Sequence, residues 1–402
     1  MQKKLLLLGA GFEQKIVIDH AHNLGIHVIA VDGDPNAQGL KIADTSIVGN
    51  IKNVDELCAI AKKYSVNGVM THAVEIPHIV SRVSERMNLP GLPSEIADRA
   101  TNKLSRIKCF KDKKIPSPAF EFASSKDEAY QKAKTMKFPI VIKPIDNAGS
   151  RGVSKIEKIE NIHRGYDDAI LFSKEKTVLL EEFLVGPEIS TESIIFNGKI
   201  ITTGFADRNY STKERFKPYM IENGHTIPSI LPSDTQRKII QVAEDAIRAI
   251  GINFGVAKGD LILDNNEPKV LEMAARTSGG RFASDMVPLS SGVDIIPALI
   301  QMSLGLDVNV EFLRIKYKKA AAQRFFFPPP GKIINIKNID RAKSIPGVYE
   351  IFLRTDVKIG GIIKPITNHS DRVGYVITSG NTRDQAVNIS EEVVNMVDIE
   401  VR

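Results

Sequence analysis

The chain has 402 residues, of which 43% are hydrophobic and 25% are charged. This composition is typical of a soluble globular protein with room for two or three domains. The sequence contains 54 basic and 48 acidic residues, a formal net charge of +6, and the two signs are interspersed. Because there is no long basic tract with interleaved aromatic residues, the charge pattern favours small anionic ligands and argues against nucleic acid as a partner.

The cysteines and the apolar segments argue against secretion and membrane insertion. Cys58 and Cys109 each lie in a predicted helix, and neither has a spacing typical of zinc ligands. The first apolar run, at residues 5–10, is too short for a signal peptide or a membrane span. We therefore expect a cytoplasmic protein without disulfides, because a reducing compartment keeps thiols free.

Short apolar runs alternate with amphipathic stretches along the chain, which predicts α/β layering. The first part of the sequence predicts a βαβαβ unit, with strands at 5–8, 28–32 and 68–71 and helices at 13–23 and 54–63. One further helix is predicted before the pair Pro116 and Pro118, which marks a domain boundary. The last part predicts a helix at 295–304, then short strands and turns, then a helix at 383–396.

A glycine pair follows the first predicted strand, in the sequence LLLLGAGFEQ. Gly9 and Gly11 open the next helix, and Asp32 ends the next strand, as in a dinucleotide-binding unit. Gln14, however, stands where that motif has its third glycine. Two interpretations therefore stay open: a tight turn, or an anion site at the helix N-terminus.

A lysine closes an apolar strand in FPIVIKPIDNAGSRGVSKI, residues 138–156. A charge at the position of Lys143 is costly unless an anion or a carboxylate compensates it. The loop at 146–153 contains two glycines, whose backbone N–H groups can approach a ligand closely. The segment predicts a phosphate clamp on a hairpin; the alternative is a surface hairpin with a solvated lysine.

Residues 178–196, VLLEEFLVGPEISTESIIF, predict a strand, a Gly-Pro turn and a second strand. A purine needs a donor and an acceptor from extended backbone, and a ribose needs an acceptor for its hydroxyl groups. The segment from Glu181 to Leu184 suits the first role, and Glu188 suits the second. The alternative is a pair of exposed acids beside a turn.

The segment GDLILDNNEPKVLEMAARTSGG predicts a hairpin with its turn at Asn266. Asp260 and Glu272 then lie opposite each other, where like charges destabilise a sheet. Mg²⁺ reverses this effect, since it is commonly held by one or two carboxylates together with substrate phosphates. Arg276 continues the same face, near any phosphate that the metal carries. The alternative is a register in which one carboxylate points to solvent.

These motifs, in this order, resemble the ATP-grasp superfamily, which includes biotin carboxylase, purine-pathway enzymes and L-amino acid ligases. The resemblance covers nearly the whole chain and implies a fold that combines α/β and α+β parts. The implied domains are a Rossmann-like pre-grasp α/β domain at 1–95, an ATP-grasp domain at 96–305 with a lid subdomain at about 115–185, and a biotin-carboxylase-like α+β domain at 306–402.

The resemblance also implies roles for individual residues. The phosphate groups of ATP would be bound by Lys103, in the sequence TNK, by Lys143, and by the loop residues Asn147, Ser150 and Gly152. Adenine and ribose would be held by Glu181, Glu182, Phe183, Leu184 and Glu188. Mg²⁺, or Mn²⁺ in its place, would be bound by Asp260 and Glu272, and Lys143 and Arg276 would stabilise the transferred phosphoryl group.

One position departs from the family pattern. Many members carry Glu-x-Asn-x-Arg, in which the asparagine also binds metal, whereas this chain has Ala274 between Glu272 and Arg276. An alanine cannot bind metal, so the number of ions, one or two, stays open.

The implied activity is that of an ADP-forming carboxylate-amine ligase acting on a small-molecule carboxylate and an amine. Such a reaction depends on positioning and charge neutralisation. The alternatives are a carboxylase that activates bicarbonate, a formate-using transformylase, a non-catalytic nucleotide-binding protein, and a dehydrogenase. A homodimer is common among the proteins that this chain resembles.

Substrate contacts are predicted around the loops. Glu75 would anchor an amino group, although an acid at a helix start also has a structural explanation. Arg208 lies in a charged segment, DRNYSTKERFKPY, that would close over an anionic substrate or remain solvated. The substrate carboxylate would be held by Ser278, Gly279 and Arg281, with Arg372 facing the site from the C-terminal region.

Overall fold

The computed structural model describes residues 2–402. The N-terminal elements are β1 (Lys4–Leu8), α1 (Lys15–Asn23), β2 (His27–Asp32), β3 (Thr45–Val48), α2 (Val54–Tyr64), β4 (Gly68–Thr71) and α3 (Pro77–Arg86). The strands form a parallel sheet in the order β3-β2-β1-β4. The leucines of β1 alternate between apolar clusters on the two faces of this sheet, which explains why β1 is a continuous apolar run.

The predicted βαβαβ unit is confirmed, with one strand added. The edge strand β3 escaped prediction because it is short, half exposed and begins with polar residues.

Two helices, α4 (Ser94–Thr101) and α5 (Lys103–Asp112), replace the one helix predicted before Pro116. Asn102 separates them with an extended ψ of 117°, and its side chain caps α5 by accepting a hydrogen bond from the N–H of Ser105 at 3.0 Å. Asn, Asp, Ser and Thr favour this position because they satisfy an otherwise unpaired N–H group. The break places Lys103 at the first residue of α5.

A small antiparallel sheet follows, which we call the lid sheet. Its elements are β5 (Phe120–Ala123), α6 (Lys126–Ala133), β6 (Ile140–Pro144), β7 (Ser154–Ile156), α7 (Ile162–Ile170) and β8 (Val178–Glu182), with the strand order β5-β8-β6-β7. β6 and β7 pair in antiparallel fashion, so the predicted hairpin is confirmed.

The remaining chain builds an eight-stranded antiparallel sheet, which we call the large sheet. The first elements are β9 (Glu188–Phe196), β10 (Lys199–Arg208), β11 (His225–Ile227), α8 (Ser233–Ile250), β12 (Gly255–Asp264), β13 (Glu267–Ala274), α9 (Val287–Ser291) and α10 (Ile295–Ser303). The last elements are β14 (Ala320–Phe325), β15 (Gly331–Lys337), α11 (Ile339–Lys343), β16 (Val348–Leu353), β17 (Ile362–Ile363), β18 (Gly374–Gly380), α12 (Arg383–Met396) and β19 (Asp398–Val401).

The strand order of the large sheet is β13-β12-β9-β10-β11-β14-β18-β16, and β17-β15-β19 form a separate small sheet. Short 3₁₀ turns occur at Gln38–Lys41, Ile159–Asn161, Lys213–Phe216, Val310–Leu313 and His369–Asp371, and a π-helical turn occurs at Phe282–Met286. Within residues 2–402, every helix is too short or too polar to cross a bilayer.

Two connections, β8 to β9 and β12 to β13, join strands that carry predicted site residues. β8 and β9 belong to different sheets, so residues 183–187 link the lid sheet to the large sheet and do not close a hairpin. β12 and β13 do form the predicted hairpin, with Asn265 and Asn266 at φ of 49° and 65°. Two consecutive residues with positive φ are typical of the tight turn that matches strand twist.

Candidate active site

A cleft of about 660 Å³ opens between the lid sheet and the large sheet. It is also lined by the N-terminal loops and by the C-terminal region. All but three of the predicted site residues line this cleft, and the three outside it are Glu75, Gly152 and Arg281.

Lys143 is compensated by a carboxylate on the neighbouring strand of the lid sheet. Its Nζ lies 2.5 Å from Oε2 of Glu181, and the two side chains are only 12% and 5% exposed. Val141 is the cross-strand partner of Glu181, so Lys143, two residues further along β6, projects from the same face. The other oxygen of Glu181, Oε1, is buried and has no hydrogen-bond partner within residues 2–402. It is therefore free to accept a hydrogen bond from a ligand in the cleft.

Lys103 reaches the lid loop from the start of α5. Its Nζ donates to the carbonyl oxygen of Asn147. Burial lowers the pKa of Lys103 to about 8; Glu272 opposes this effect, and Arg106 and Lys143 add to it. Lys103, Arg106 and Lys143 are thus close enough to influence one another, and such a cluster of positive charge attracts anions.

The lid loop, residues 146–153, depends on left-handed backbone. Gly149, Ser150 and Gly152 have φ of 69°, 58° and 71°, a region that glycine enters without steric cost. The carboxylate of Asp146 fixes the start of the loop by accepting two backbone N–H groups at 2.7 and 3.0 Å. A Cβ at Gly152 would press on α7, and this residue accordingly packs there and does not line the cleft.

The C-terminal region contacts the same loop. The N–H of His369 donates to the carbonyl oxygen of Gly149 at 3.0 Å, and its Nε2 lies 3.3 Å from Oγ of Ser150. The lid loop is therefore held against the C-terminal region at the mouth of the cleft.

Residues 183–187, which we call the hinge, cross between the two sheets. Phe183 and Leu184 belong to neither hydrogen-bonded ladder, so their backbone groups are free to face the cleft. Gly186 lies so close to the carbonyl of Leu263 that a Cβ would overlap it. The glycine therefore lets the hinge rest directly on β12.

Asp260 and Glu272 face each other across β12 and β13, as predicted, although the pairing depends on a register shift between Asp260 and Leu261. Lys258 lies between them: its Nζ donates to Asp260 and is 3.5 Å from Oε2 of Glu272. Nη1 of Arg208 is 2.8 Å from Asp260, and Nη2 of Arg106 is 3.4 Å from Glu272. These cations offset the repulsion between the two carboxylates.

The same cations keep both carboxylates ionised. Burial alone would raise the pKa of Glu272, but Lys258 and Arg106 outweigh it and hold the pKa well below its usual range. Arg208 and Lys258 likewise lower the pKa of Asp260 against the effect of burial.

The donor set fits a magnesium site that is completed by a ligand. Ionised carboxylates are the protein groups that Mg²⁺ prefers. Within residues 2–402, no group of three or more His, Cys, Asp or Glu side chains is placed to hold a metal. The two carboxylates therefore suit an ion that takes its other ligands from phosphate and water.

Sequence reasoning missed Lys258 and Arg106, although local signals for both exist. The alternation of β12 places Lys258 on the face of Asp260, and the spacing of three residues in α5 places Arg106 next to Lys103. Arg208 was expected in a loop, but it is the last residue of β10. Its side chain is 10% exposed and also contacts Glu222 at 2.8 Å.

Glu75, the predicted amine anchor, is engaged by Arg276. Nε of Arg276 donates to the Glu75 carboxylate. Burial would lower the pKa of Arg276, but Glu75 reverses this effect and raises it. The guanidinium group is thus held at the edge of the cleft by an acid from the N-terminal region.

Two acids hold the segment TSGG. Glu192 accepts hydrogen bonds from the N–H of Ser278, at 3.1 Å, and from its hydroxyl group. Glu13 accepts the N–H of Gly280 at 2.9 Å. Burial raises the pKa of Glu192 to about 7, against the effect of these bonds. The N–H of Ser278, predicted to hold a substrate carboxylate, is therefore already used.

The two remaining arginines differ in how they are neutralised. Arg281 pairs with Asp285 at 2.8 Å, away from the cleft. Arg372 lines the cleft and donates to two backbone carbonyl oxygens, at 2.9 and 3.2 Å. It has no acidic side chain as a partner within residues 2–402, and burial lowers its pKa to about 10. Arg372 is therefore the arginine that is free to pair with an anionic ligand.

Aromatic rings form a wall of the cleft beside Arg372. Its guanidinium carbon lies 3.6 Å from the ring centroid of Phe325. Phe12 and Phe352 stack at 4.6 Å, and Phe352 and Tyr375 at 5.1 Å. This end of the cleft thus combines an unpaired cation with an apolar surface.

Hydrogen bonds within the protein hold the glycine turn after β1. Asp32 accepts the N–H of Ala10 at 2.7 Å, and the amide of Gln14 donates to the carbonyl oxygen of His72 at 2.6 Å. Gly9 has a φ of 93°, which glycine adopts readily. These contacts favour the tight-turn interpretation over a dinucleotide site.

Comparisons with known proteins agree with this architecture. A family model described as ATP-grasp domain matches residues 100–280, and one described as L-amino acid ligase C-terminal domain 2 matches residues 324–402. This chain carries an ATP-grasp domain. The resemblance inferred from the motifs around Lys143, Glu181 and Asp260 is therefore confirmed.

Individual proteins align with the ATP-grasp domain and its flanking regions over nearly their full length. A formate-dependent phosphoribosylglycinamide formyltransferase of Saccharolobus solfataricus is 25% identical over 401 residues, which cover 96% of this chain and 94% of that protein. The crystal structure of an L-amino acid ligase from Bacillus licheniformis has a TM-score of 0.85 at 19% identity, covering 100% and 99%.

The biotin carboxylase domain of 2-oxoglutarate carboxylase from Hydrogenobacter thermophilus, solved with MgADP and bicarbonate, has a TM-score of 0.75 at 18% identity, covering 100% and 91%. These likenesses confirm the predicted ATP-grasp fold.

Proposed function

We propose that the protein is an ADP-forming ligase that activates a carboxylate as an acyl phosphate and couples it to an amine. One observation carries the proposal: Lys103, Lys143 and Arg276 line the same cleft as the acid pair Asp260 and Glu272. This combination suits phosphoryl transfer, which needs positioning and charge neutralisation more than a protein nucleophile.

The nucleotide would lie between the hinge and the lid loop. Free backbone groups of Phe183 and Leu184 suit the edge of adenine, with Oε1 of Glu181 as an additional acceptor and Glu182 alongside. Glu188, at the start of β9, suits the ribose hydroxyl groups. The lid loop, through Asn147, Ser150 and the turn at Gly152, would cover the phosphates.

Asp260 and Glu272 would hold Mg²⁺ against those phosphates. The ion, when bound, neutralises phosphate charge and polarises the transferred group. The acid substrate then attacks: its oxygen bonds to the γ-phosphorus, the bond to the leaving oxygen breaks, and ADP departs. Next, the amine nitrogen attacks the acyl carbon, the bond from that carbon to the phosphate oxygen breaks, and the nitrogen loses a proton to solvent.

The chain's own residues have distinct tasks in these steps. Arg276, fixed by Glu75, would stabilise the transferred phosphoryl group, and Ser278 and Gly279 border the position of the acyl phosphate. Contact between the lid loop and the C-terminal region would exclude water, which otherwise hydrolyses an acyl phosphate.

The acid substrate would be recognised by Arg372 and the aromatic wall. An unpaired guanidinium group binds a carboxylate, and the rings of Phe12, Phe325 and Phe352 suit an apolar side chain. We therefore infer an organic acid with an apolar substituent, such as an amino acid.

A second candidate is a formate-using or bicarbonate-using enzyme. It is favoured by the alignment with the Saccharolobus solfataricus formyltransferase over 96% of this chain. Formate and bicarbonate carry no side chain that the aromatic wall could contact. The aromatic wall would therefore bind substrate in the first candidate but not in the second.

A phosphate-release screen tests the proposal. Amino acids, hydroxy acids, bicarbonate and formate are each combined with candidate amines, and ADP and phosphate are measured together. We expect release only when an apolar amino acid and an amine are both present. Phe352→Ala should then raise KM for that acid by about tenfold or more. Release driven by formate or bicarbonate, unaffected by Phe352→Ala, would select the second candidate.

The affinity for MgADP should fall as the pH rises above about 8, the pKa of Lys103. Lys103 is protonated below this pH and loses its charge above it, so binding weakens by up to about tenfold per pH unit. Isothermal titration from about pH 7 to about pH 9.5 measures this, with Lys103→Arg as the control, since arginine stays charged throughout. An equal fall in Lys103→Arg would assign the pH dependence to another group.

A further inference from the structure

Lys258 occupies a position that the reaction proposed above does not use. It lies on β12, its side chain is 13% exposed, and its Nζ contacts Asp260 and Glu272 together. Lysines at sheet surfaces normally extend into solvent, since desolvating an ammonium group is costly. The ammonium group of Lys258 instead contacts both carboxylates.

Ala274 is the cross-strand partner of Lys258. Directly opposed residues on adjacent strands have Cβ atoms about 5 Å apart, so the two positions share one small volume beside the carboxylates. At position 274 the resembled family pattern has a metal-binding asparagine. This chain therefore has no ligand for a second ion at the point where it carries an ammonium group.

The alanine and the lysine are physically complementary. A second divalent ion needs oxygen ligands from the protein, and a methyl group supplies none. The ammonium group of Lys258 is covalently attached to β12, which positions it. Unlike a divalent ion, it does not have to be bound from solution. The ammonium group neutralises the carboxylates and, from the same place, attracts the phosphates of a nucleotide.

We propose that Lys258 is a built-in cation that takes the place of a second divalent ion, so that this cleft binds one Mg²⁺ with its nucleotide. The proposal rests on the proposed function, because it requires that the nucleotide and a metal meet at Asp260 and Glu272. It also implies competition: the bound ion must share Asp260 with Lys258, so removing the lysine charge should tighten metal binding while slowing turnover.

Counting bound Mn²⁺ tests the proposal without relying on activity. The free-Mn²⁺ signal in electron paramagnetic resonance is followed while Mn²⁺ is added to protein saturated with the β,γ-methylene analogue of ATP. We expect one Mn²⁺ per chain for the natural protein and two for the double variant Lys258→Met with Ala274→Asn. Lys258→Met alone should bind its one ion at least about threefold more tightly and turn over at least about tenfold more slowly.

Two matched variants separate charge from shape. Lys258→Arg keeps the positive charge and should retain one ion with nearly normal affinity. Lys199→Met removes a lysine from an exposed site on β10 of the same sheet, and should change neither the number nor the affinity of bound ions.

Two Mn²⁺ ions per chain in the natural protein would overturn the proposal. So would a Lys258→Met variant whose Mn²⁺ affinity is unchanged or weaker. Failure of the nucleotide analogue to bind the natural protein would instead overturn the proposed function and this proposal together.

Discussion

Replacing Glu272 with glutamine or alanine should lower ADP release by about 10³-fold or more. Glutamine keeps the shape of the side chain but loses the negative charge that would hold Mg²⁺ opposite Asp260. Lys103 and Lys143 are unchanged in these variants, so a nucleotide should still bind when magnesium is omitted. A coupled ADP assay measures the first effect, and titration of ADP without metal measures the second.

The two substitutions should differ in stability. Arg106 is 4% exposed on its side chain and pairs with Glu272 at 3.4 Å, so alanine leaves a buried guanidinium group without its acid partner. Breaking a buried pair in this way lowers the free energy of unfolding by about 3–5 kcal/mol. Glutamine retains an oxygen acceptor and should cost less. Denaturant unfolding of both variants measures the difference.

Glu267→Ala is the matched control, since Glu267 is exposed on the same strand. It should change neither ADP release nor the free energy of unfolding by a measurable amount. Normal turnover in Glu272→Gln would show that the acid pair does not hold the catalytic metal.

The parts of the site that follow from the sequence are those fixed by local periodicity. The pairing that brings Asp260 opposite Glu272 depends on a tight turn, on an alternation of two residues and on a register shift between Asp260 and Leu261. The turn and the alternation can be counted along the chain, but the shift cannot. The same alternation predicts that Lys143 projects beside Glu181 once their strands pair. An apolar strand that ends in a lysine indicates a charge that needs compensation. In the structure, the carboxylate of Glu181 compensates it.

The partners that the sequence did not reveal are distant along the chain. Arg276 and Glu75 are separated by 201 positions, and Gly280 and Glu13 by 267. No periodicity relates such residues, since only the docking of the N-terminal sheet against the large sheet brings them together. Glu75 was therefore assigned to a substrate, whereas in the structure it holds an arginine.

Other differences come from weak local patterns. The edge strand β3 has no apolar run, and one capping residue, Asn102, divides a continuous amphipathic stretch into α4 and α5. The Gly-Pro sequence at 186–187 resembles a hairpin turn, yet it belongs to a hinge between two sheets. Its glycine is needed because the backbone of Leu263 passes close by, a contact that no local signal predicts.

Replacing Arg276 with methionine should lower kcat by about 10²–10³-fold while changing nucleotide affinity little. Lys103, Lys143 and the hinge would still bind the nucleotide, but the transferred phosphoryl group would lose a charged donor fixed by Glu75. An interaction made mainly in the transition state affects kcat more than binding. Single-turnover ADP formation, together with titration of MgADP, separates the two effects.

Two further variants decide how Arg276 acts. Glu75→Gln keeps the arginine but loosens it, so its kcat should fall by less than that of Arg276→Met. Arg248→Met removes an arginine that is 56% exposed on α8, and should be neutral. If MgADP affinity fell as much as kcat in Arg276→Met, the arginine would be a general phosphate-binding group. The position of the Arg276 guanidinium group depends on Glu75, an acid from the N-terminal region. A large fall of kcat in Glu75→Gln would therefore show that docking of the N-terminal region orients Arg276 for catalysis.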